Sequence, residues 1–478
     1  MNNGTVNLKL NYKRTAQIGF AFFGILLLWQ VYDSWCPTFL TDIFARSMYD
    51  LSSAQLKASD PDKILNVQWL VGIIMACDNL AALILLPIFG RLSDKTKTPI
   101  GKRMPYILAG TLVSAVAFPF IPVFFHGNSI AGMVIMMAIV LMFMMMYRNP
   151  AVALMPDITP KPLRAKANGI INIMGYFGGA FATVLGIFFK LSDYINVSDE
   201  ARKAWIIEIP FLVASVLMVI SAMVLFATIK ENKVAEEMKE QMEEGERMAA
   251  IATPVTDDGP MSKENKQMLL AILGAEFLWF MSDNALGTYM QNYVIYYLNS
   301  SSSNTSKLVI AGGVASVIGF AIAGFIADKI GRKWTISCGL GLTFLGLLLM
   351  CFVAPTGNVV GANGEFAFPV LLYAVGIVRG FGMALVHNCS FPMVVELCSS
   401  NQIGKFTGYY YTASMSAQTV TPILLGLVLN RTLAWSTLPV YCSVLILLSF
   451  ILFTLLVKNI KAHKVDNSKG LEALGADD

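Results

Sequence analysis

The chain has 478 residues, of which 56% are hydrophobic and 14% are charged, and its formal net charge is +4. An ordinary soluble domain has about a quarter charged residues, so this composition excludes a water-soluble globule and predicts an all-α membrane protein. The small positive charge comes from lysine and arginine in loops and indicates no nucleic-acid partner.

Helices that cross a bilayer need roughly 20 mostly apolar residues, and the chain contains about twelve such runs. They predict about 12 transmembrane helices at 15–40, 67–90, 104–125, 130–155, 168–190, 205–229, 267–298, 307–328, 334–353, 368–396, 404–429 and 435–457. We divide them into an N-terminal six-helix half (1–229), a cytoplasmic linker (230–266) and a C-terminal half with a short tail (267–478).

The first span follows Lys9, Lys13 and Arg14 and shows no small-residue cleavage site, so we expect a retained helix and not a signal peptide. Lysine and arginine concentrate in alternate loops, at 91–103, 161–166 and 329–333 and in the tail. The positive-inside rule then predicts that both termini are cytoplasmic in a multi-pass protein of the cell membrane.

A basic loop occurs twice, about 230 residues apart. Gly90 is followed four residues later by Asp94 and then by a lysine, and Gly324 is followed in the same way by Asp328. Both copies lie between apolar runs. A loop repeated at matching places predicts two related halves, as in secondary transporters.

Two further patterns occur in helices that hold the same position in the order of each half. The first is a tryptophan, three residues and an aspartate, at Trp29–Asp33 and Trp279–Asp283. The second is an asparagine followed eight residues later by an acid, at Asn149–Asp157 and Asn388–Glu396. Three matches in register favour a duplication.

The linker is polar and mildly acidic, and Gly259-Pro260 interrupts its helical pattern. We expect a solvated tether between the halves; a regulatory or partner-docking role is the alternative.

Several ionisable residues fall inside the spans, where a charge costs roughly 2.5–3.5 kcal/mol on insertion scales. Such residues persist when they face a water-filled cavity or form a buried ion pair, and both interpretations stay open here. The candidates for cation coupling are Asp33, Asp78, Arg148, Glu276 and Asp283.

Amides, aromatic rings and a few basic groups could bind a polyhydroxylated ring, because amides bond hydroxyls and aromatic faces stack on CH groups. Each could equally join two helices by a hydrogen bond. The substrate candidates are Trp29, Tyr32, Asn79, Asn149, Asn172, Trp279, Asn284, Gln291, Arg379, His387, Asn388, Tyr409, Tyr411 and Gln418.

Charged residues at the helix ends near the basic loops could form ion pairs that latch a cytoplasmic gate and break when it opens. Isolated exposed pairs contribute little, so a latch needs a network; topology signalling alone is the alternative. The gate candidates are Arg91, Asp94, Lys95, Arg103, Asp157, Arg164, Asp328, Arg332 and Glu396.

The seven cysteines lie mostly in apolar spans and the three histidines are scattered. We therefore expect no metal site and no cofactor beyond a coupling ion. The sequence also has no nucleophile–base pair and no phosphate-binding loop, which argues against an enzyme.

The loop pattern resembles the major facilitator superfamily across nearly the whole chain. More narrowly, Gly90 to Tyr106 and the segment Ala153 to Asn168 resemble the glycoside–pentoside–hexuronide/cation symporters and the related sucrose/proton symporters. The resemblance implies the major facilitator fold and a cation-coupled carrier of glycosides, with sucrose- or maltose-like disaccharides as leading substrates.

Two departures from the resemblance bear on the coupling ion. The sucrose branch tends to have three arginines where this chain has Lys102-Arg103-Met104. Melibiose-type carriers place a second aspartate one turn after the first on helix two for sodium, and here that position is Ala82. A proton is therefore favoured over sodium.

These observations predict a monomeric carrier that takes up a sugar with a proton by alternating access, the proton binding at Asp78 or Asp33 near Arg148. The alternative is an exporter or proton/drug antiporter on the same fold. A non-transporting sensor would need a larger cytoplasmic domain than the linker and tail supply.

Overall fold

The computed structural model describes residues 8–252, 263–360, 364–395, 397 and 403–458. In this part of the chain, 12 helices are long and apolar enough to cross a membrane, which confirms the predicted all-α fold. We number them α1 Tyr12–Tyr49, α2 Asp62–Lys95, α3 Met104–His126, α4 Ile130–Asp157, α5 Arg164–Phe188, α6 Trp205–Thr228, α7 Lys263–Tyr297, α8 Ser303–Ile330, α9 Arg332–Met350, α10 Leu371–Val395, α11 Ile403–Thr432 and α12 Thr437–Leu456.

Helix α1 continues to Tyr49, well beyond the predicted end at 40. The extra turns contain Asp42, which is fully buried and accepts hydrogen bonds from Arg46 (3.0 Å) and Arg202 (2.8 Å). Because these partners satisfy the carboxylate, the polar segment stays helical inside the protein. Hydropathy alone could not show this.

Two ends of the helix bundle need names. The Arg103 end is where α2 ends and α3 begins, and the Asn292 end is where α7 ends, its last turn (Tyr293–Tyr297) being a π-helix. Helix α1 runs from the Arg103 end to the Asn292 end, and α2 runs back to the Arg103 end.

The two sets of six helices meet mainly along α2 and α11, with further contacts of α5 with α8 and of α1 with α7. Glycines bring α2 and α11 together: a Cβ on Gly72 would lie 2.1 Å from the carbonyl oxygen of Pro422, and one on Gly426 would lie 2.5 Å from that of Gln68. Small residues of this kind let membrane helices approach closely.

The linker departs from the expectation of a solvated tether. Its helices Glu231–Glu237 and Lys239–Ala252 lie against the Arg103 end. Glu231 is 3% exposed and accepts hydrogen bonds from the backbone N–H groups of Lys102, Arg103 and Met104. The linker thus fixes the first basic loop. Gly259-Pro260 lies outside the described residues.

Glycines shape both basic loops. Gly101 has φ 119° and Gly331 has φ 85°, in the region that favours glycine. At Gly101 a Cβ would also lie 2.1 Å from a Glu231 carboxylate oxygen. The loop turn and the docking of the linker therefore depend on the same residue.

Candidate functional site

Three of the predicted charged residues line one cavity of about 400 Å³, which we call cavity 1. Asp33 comes from α1, Asp78 from α2 and Arg148 from α4. Among the described residues, no ion pair involves any of the three, although their side chains share this space. They are thus available to a ligand or a proton.

The walls of cavity 1 supply amides and an aromatic ring from both halves. Five predicted substrate residues lie here: Trp29, Asn79, Asn172, Asn284 and Gln418. Trp29 Nε1 and Asn284 Oδ1 are buried and have no hydrogen-bond partner in the described structure. Buried polar atoms nearly always have partners, so these two can bond to a ligand. Ala82 also lines the cavity, one turn after Asp78.

A second cavity of about 350 Å³, cavity 2, adjoins the first, and Asp33 and Gly287 line both. Its walls come mainly from the parts of α7, α8 and α10 that lie between mid-span and the Asn292 end. Of the predicted residues it contains Gln291, Asp283 and Arg379.

The sequence interpretation missed several polar residues of cavity 2, namely Gln30, Ser34, Thr305 and Ser316. A signal existed for two of them, because Gln30 and Ser34 lie one turn apart in an apolar span and Gln30 Nε2 donates to Ser34 Oγ over 3.0 Å. Pairs of polar residues at this spacing mark a common helix face.

The charges of the second half form a cluster. Arg379 Nη2 donates to Asp283 Oδ1 over 2.5 Å, and His387 Nε2 lies 3.5 Å from Asp283 Oδ2. Asp283 was predicted to couple a cation and the other two to bind substrate. The structure instead pairs the carboxylate with the guanidinium, which neutralises both charges.

Four predicted residues lie outside both cavities. Glu276, Tyr32 and Trp279 are 0% exposed, and the Glu276 carboxylate, the Tyr32 hydroxyl and Trp279 Nε1 have no hydrogen-bond partner in the described structure. Asn149 Nδ2 donates to the carbonyl oxygen of Leu86 and joins α4 to α2. Helical periodicity placed them in the spans but could not distinguish a cavity face from a packed face.

Three more predicted substrate residues are exposed yet line neither cavity: Asn388, Tyr409 and Tyr411. Tyr409 and Tyr411 lie in the first turns of α11, closer to the Arg103 end than Gln418 of the same helix, which does reach cavity 1. The pattern of amides and aromatic rings therefore selected too long a stretch of α11.

At the Arg103 end, three gate candidates form one network. Arg103 is 4% exposed; its guanidinium donates to Asp157 (2.8 Å), Ser93 (2.5 Å) and Asp94. Burial by itself lowers the pKa of Arg103, but the hydrogen bonds and charges of Asp157 and Asp94 outweigh it and raise that pKa. The network ties together the ends of α2 and α4.

The latch hypothesis differs from the structure in one respect. The Arg103 network lies wholly in the first half, and none of the described hydrogen bonds joins the two halves at the Arg103 end. Among the described residues, the network therefore joins helices of the first half and does not bridge the halves.

The remaining gate candidates are dispersed. Arg91, Lys95 and Asp328 are exposed, and no ion pair with a described residue involves them. Arg164 donates to the carbonyl oxygens of Pro156 and Thr159. Arg332 begins α9, and Glu396 lies outside the described residues.

A buried polar cluster at the Asn292 end joins the halves, and the sequence interpretation missed it. Asn292 is 0% exposed; its side chain accepts from Thr38 (2.7 Å) and donates to Thr41 (2.9 Å) and Gln68 (3.3 Å). Tyr289 also donates to the carbonyl oxygen of Gln68 over 3.3 Å. We call the side chains of Asn292, Thr38, Thr41 and Gln68 the Asn292 seal.

Lys57 lies outside the spans and connects the halves beyond the Asn292 seal. Its Nζ donates to Asn299 Oδ1 (2.5 Å) in the second half and lies 3.4 Å from Asn196 Oδ1 in the first. Burial lowers the pKa of Lys57 to about 8, against a smaller opposing effect of the Glu365 carboxylate. Contacts between the halves thus close the Asn292 end.

Known structures share this fold. The xylose transporter XylE from E. coli, in an inward-open conformation, matches with a TM-score of 0.63 at 14% identity, over 96% of this chain and 98% of that one. A peptide transporter POT variant in complex with sulfate matches with a TM-score of 0.62 at 13% identity, over 98% of each chain. At these identities the likeness concerns the fold alone.

Two curated relatives are similar in sequence. A lactose permease from Leuconostoc lactis is 24% identical over 383 residues, which are 75% of this chain and 56% of that protein. A glycine betaine/proline/ectoine/pipecolic acid transporter, OusA of Dickeya dadantii (strain 3937), is 23% identical over 277 residues, 54% of each. The chain thus spans about half the length of the curated relatives it matches.

The family described as MFS/sugar transport protein matches residues 18–402. This match covers most of the chain, including α1 to α10, and agrees with the twelve spanning helices and with the major facilitator fold of the similar structures. Members of the family are membrane transporters and not enzymes. The chain is therefore a multi-pass membrane transporter that belongs to the MFS/sugar transport protein family.

Proposed function

We propose that the protein takes up a glycoside or disaccharide together with a proton, by alternating access. The observation that carries the proposal is cavity 1, where Asp33, Asp78 and Arg148 have no ion-pair partner among the described residues and share the space with amides and Trp29. Such a site offers hydrogen bonds to hydroxyls, an aromatic face and two carboxylates that can take up a proton.

The proton is preferred to sodium because of what surrounds Asp78. Sodium needs several oxygen ligands, and the position one turn along α2 that could supply a second carboxylate is Ala82, whose methyl group lines the cavity. Asp78 is 7% exposed, and without a second carboxylate on its own helix it is better suited to gain and lose a proton than to hold a metal ion.

In the proposed cycle, Asp78 or Asp33 is protonated and sugar binds while cavity 1 is open to the outside. Loss of the carboxylate charge removes its attraction to Arg148 across cavity 1 and permits the halves to rock about the central site. One charge crossing 100 mV yields about 2.3 kcal/mol. At about 1.36 kcal/mol per decade, this supports roughly fifty-fold accumulation.

The positive-inside rule assigns the Arg103 end to the cytoplasm, so the closed Asn292 end faces the outside. The Asn292 seal and Lys57 would then close the outside, and uptake requires that they separate and re-form in each cycle.

The test is transport by the purified protein in proteoliposomes. Labelled sucrose, maltose and lactose are offered in counterflow and then under an imposed pH gradient, with and without sodium. We expect counterflow of at least one sugar and its accumulation under the pH gradient alone. Accumulation only with sodium contradicts the proton, and export of labelled sugar from energised vesicles favours the exporter hypothesis.

A zwitterionic solute is a second candidate, because cavity 1 carries charges of both signs: a carboxylate could bind Arg148 while a cationic group lies against Asp33 or Asp78. The similarity to the betaine/proline/ectoine/pipecolic acid transporter supports it. Glycine betaine and proline therefore enter the same counterflow panel, and counterflow of these compounds without any sugar selects this alternative.

A further inference from the structure

Cavity 2 has no role in the proposed proton–sugar site, yet it opens from that site. It adjoins cavity 1 at Asp33 and Gly287. With about 350 Å³ it falls within the range of small-molecule pockets on its own. From mid-span it extends toward the Asn292 seal, so a ligand in cavity 1 can reach into it.

The lining of cavity 2 is mostly apolar; Asp33 and the paired Asp283 and Arg379 lie toward mid-span, and further polar groups lie at its far end. Leu308, Val309, Leu347 and Val375 contribute apolar walls. Near the seal, Thr305 is 9% exposed and its buried Oγ1 has no hydrogen-bond partner in the described structure. Gln291 lines the same region. A ring with apolar faces and hydroxyl groups at its edge satisfies both parts of this lining.

We propose that cavity 2 is a second subsite that binds the second ring of a disaccharide while cavity 1 holds the first. This inference rests on the proposed sugar transport. Thr305 and Gln291 bond hydroxyls of the second ring, and the apolar walls pack on its CH groups.

Glycines determine how large a group cavity 2 accepts. A Cβ built on Gly313, which lines cavity 2, meets no atom within 4 Å, and the same holds for Gly287 at the junction. A side chain at Gly313 would therefore project into free space in the cavity. Gly324 is a matched control, because it lies on the same helix, has the same free surroundings and lines neither cavity.

The experiment compares Gly313→Leu with Gly324→Leu by calorimetric titration of the purified carriers with lactose, maltose, sucrose, galactose and glucose. In Gly313→Leu we expect disaccharide affinity to fall about tenfold or more while hexose affinity changes less than about twofold. In Gly324→Leu neither changes. Retained hexose binding shows that the variant is folded.

Thr305→Val is the second variant, and it removes only the unpartnered hydroxyl. It should weaken the binding of disaccharides and leave the binding of hexoses unchanged. The subsite proposal is overturned if Gly313→Leu changes the affinities for disaccharide and hexose equally or changes neither. It is also overturned if Thr305→Val leaves disaccharide affinity unchanged. Either outcome leaves the proposed sugar transport intact. If the wild type binds no sugar, the proposed function falls and the subsite with it.

Discussion

Asp33 in α1 and Asp283 in α7 occupy matching places in the two halves, each four residues after a tryptophan. Asp283 bonds Arg379 and lies beside His387, which matches Arg148 in the first half. Asp33, by contrast, faces cavity 1 with Asp78 and Arg148, and none of the three forms an ion pair with a described residue. The second half thus neutralises the charge of Asp283, while the first half keeps the charge of Asp33 available.

The difference also extends to the tryptophans. Trp29 lines cavity 1, whereas Trp279 is 0% exposed in the core of the second half. A repeated pattern therefore does not imply a repeated role. One copy can serve binding while the other stabilises packing, and the surroundings of each side chain decide between the two.

The largest expected effect comes from removing the first-half charge that the proposal assigns to the proton. In Asp78→Asn, sugar accumulation driven by about 100 mV falls from up to roughly fifty-fold to about onefold, because the carboxylate assigned to the proton is gone. Counterflow persists, since the amides of cavity 1 remain.

The matched control for Asp78→Asn is Asp283→Asn combined with Arg379→Gln, which removes a balanced pair. Both carriers are assayed in proteoliposomes with and without the gradient. Proton-driven accumulation by Asp78→Asn would move the proton from Asp78 to Asp33, and loss of accumulation in the double variant would reverse the roles assigned to the halves.

Protein stability gives the second contrast. Asp283→Asn alone leaves Arg379 without its partner, and because the pair is about a quarter exposed (side chains 24% and 29%) we expect a loss of about 2 kcal/mol in the free energy of unfolding. Asp33→Asn removes a charge with no ion-pair partner, so its loss is below about 0.5 kcal/mol.

Denaturant or thermal unfolding in detergent measures both stability changes. Adding Arg379→Gln to Asp283→Asn should recover most of the loss, since no unpaired charge then remains. If the double variant loses as much free energy of unfolding as the two single variants added together, the pairing is contradicted.

The two ends of the bundle offer a third comparison. Asn292→Leu removes the centre of the Asn292 seal and leaves the Thr38 hydroxyl and Gln68 Oε1 without their partner, which costs about 1–2 kcal/mol in the closed state only. Exposure of cavity 2 to the Asn292 side should rise about tenfold.

An impermeant maleimide added on the Asn292 side reports this exposure through Gln291→Cys, in a background whose exposed Cys77 and Cys338 are serine. Asn149→Leu, which alters a helix contact remote from the seal, is the control. An unchanged labelling rate in Asn292→Leu would show that the seal does not limit opening.

The smallest effect concerns pH at Lys57. Its pKa is lowered to about 8 in the closed structure, from an ordinary 10.5, so closure releases a proton and the closed state is favoured as pH rises between about 8 and 10.5. Labelling of Gln291→Cys in that window should fall relative to the same variant carrying Lys57→Met. Ionisation of the cysteine thiol raises both labelling rates with pH, and taking their ratio cancels this rise. A ratio independent of pH excludes Lys57 as the titrating group.

Part of the candidate site could be predicted from residue types and from their positions within the apolar spans. Asp33, Asp78 and Arg148 are costly in lipid, and the structure places them in one cavity. The same reasoning also selected Glu276 and Tyr32, which are buried away from both cavities. The cost of a charge or an unpaired hydroxyl marks a residue as unusual but does not state which neighbour or cavity it faces.

The sequence by itself determined the membrane class, the number of helices and the matching of the halves, because hydropathy and loop motifs are local properties. Only the tertiary structure decided that Asp283 is paired while Asp33 faces a cavity, and that Asn292 closes one end. Those outcomes depend on side chains from helices far apart in the chain. Their contacts arise from the packing of the twelve helices, which no periodicity within a single helix specifies.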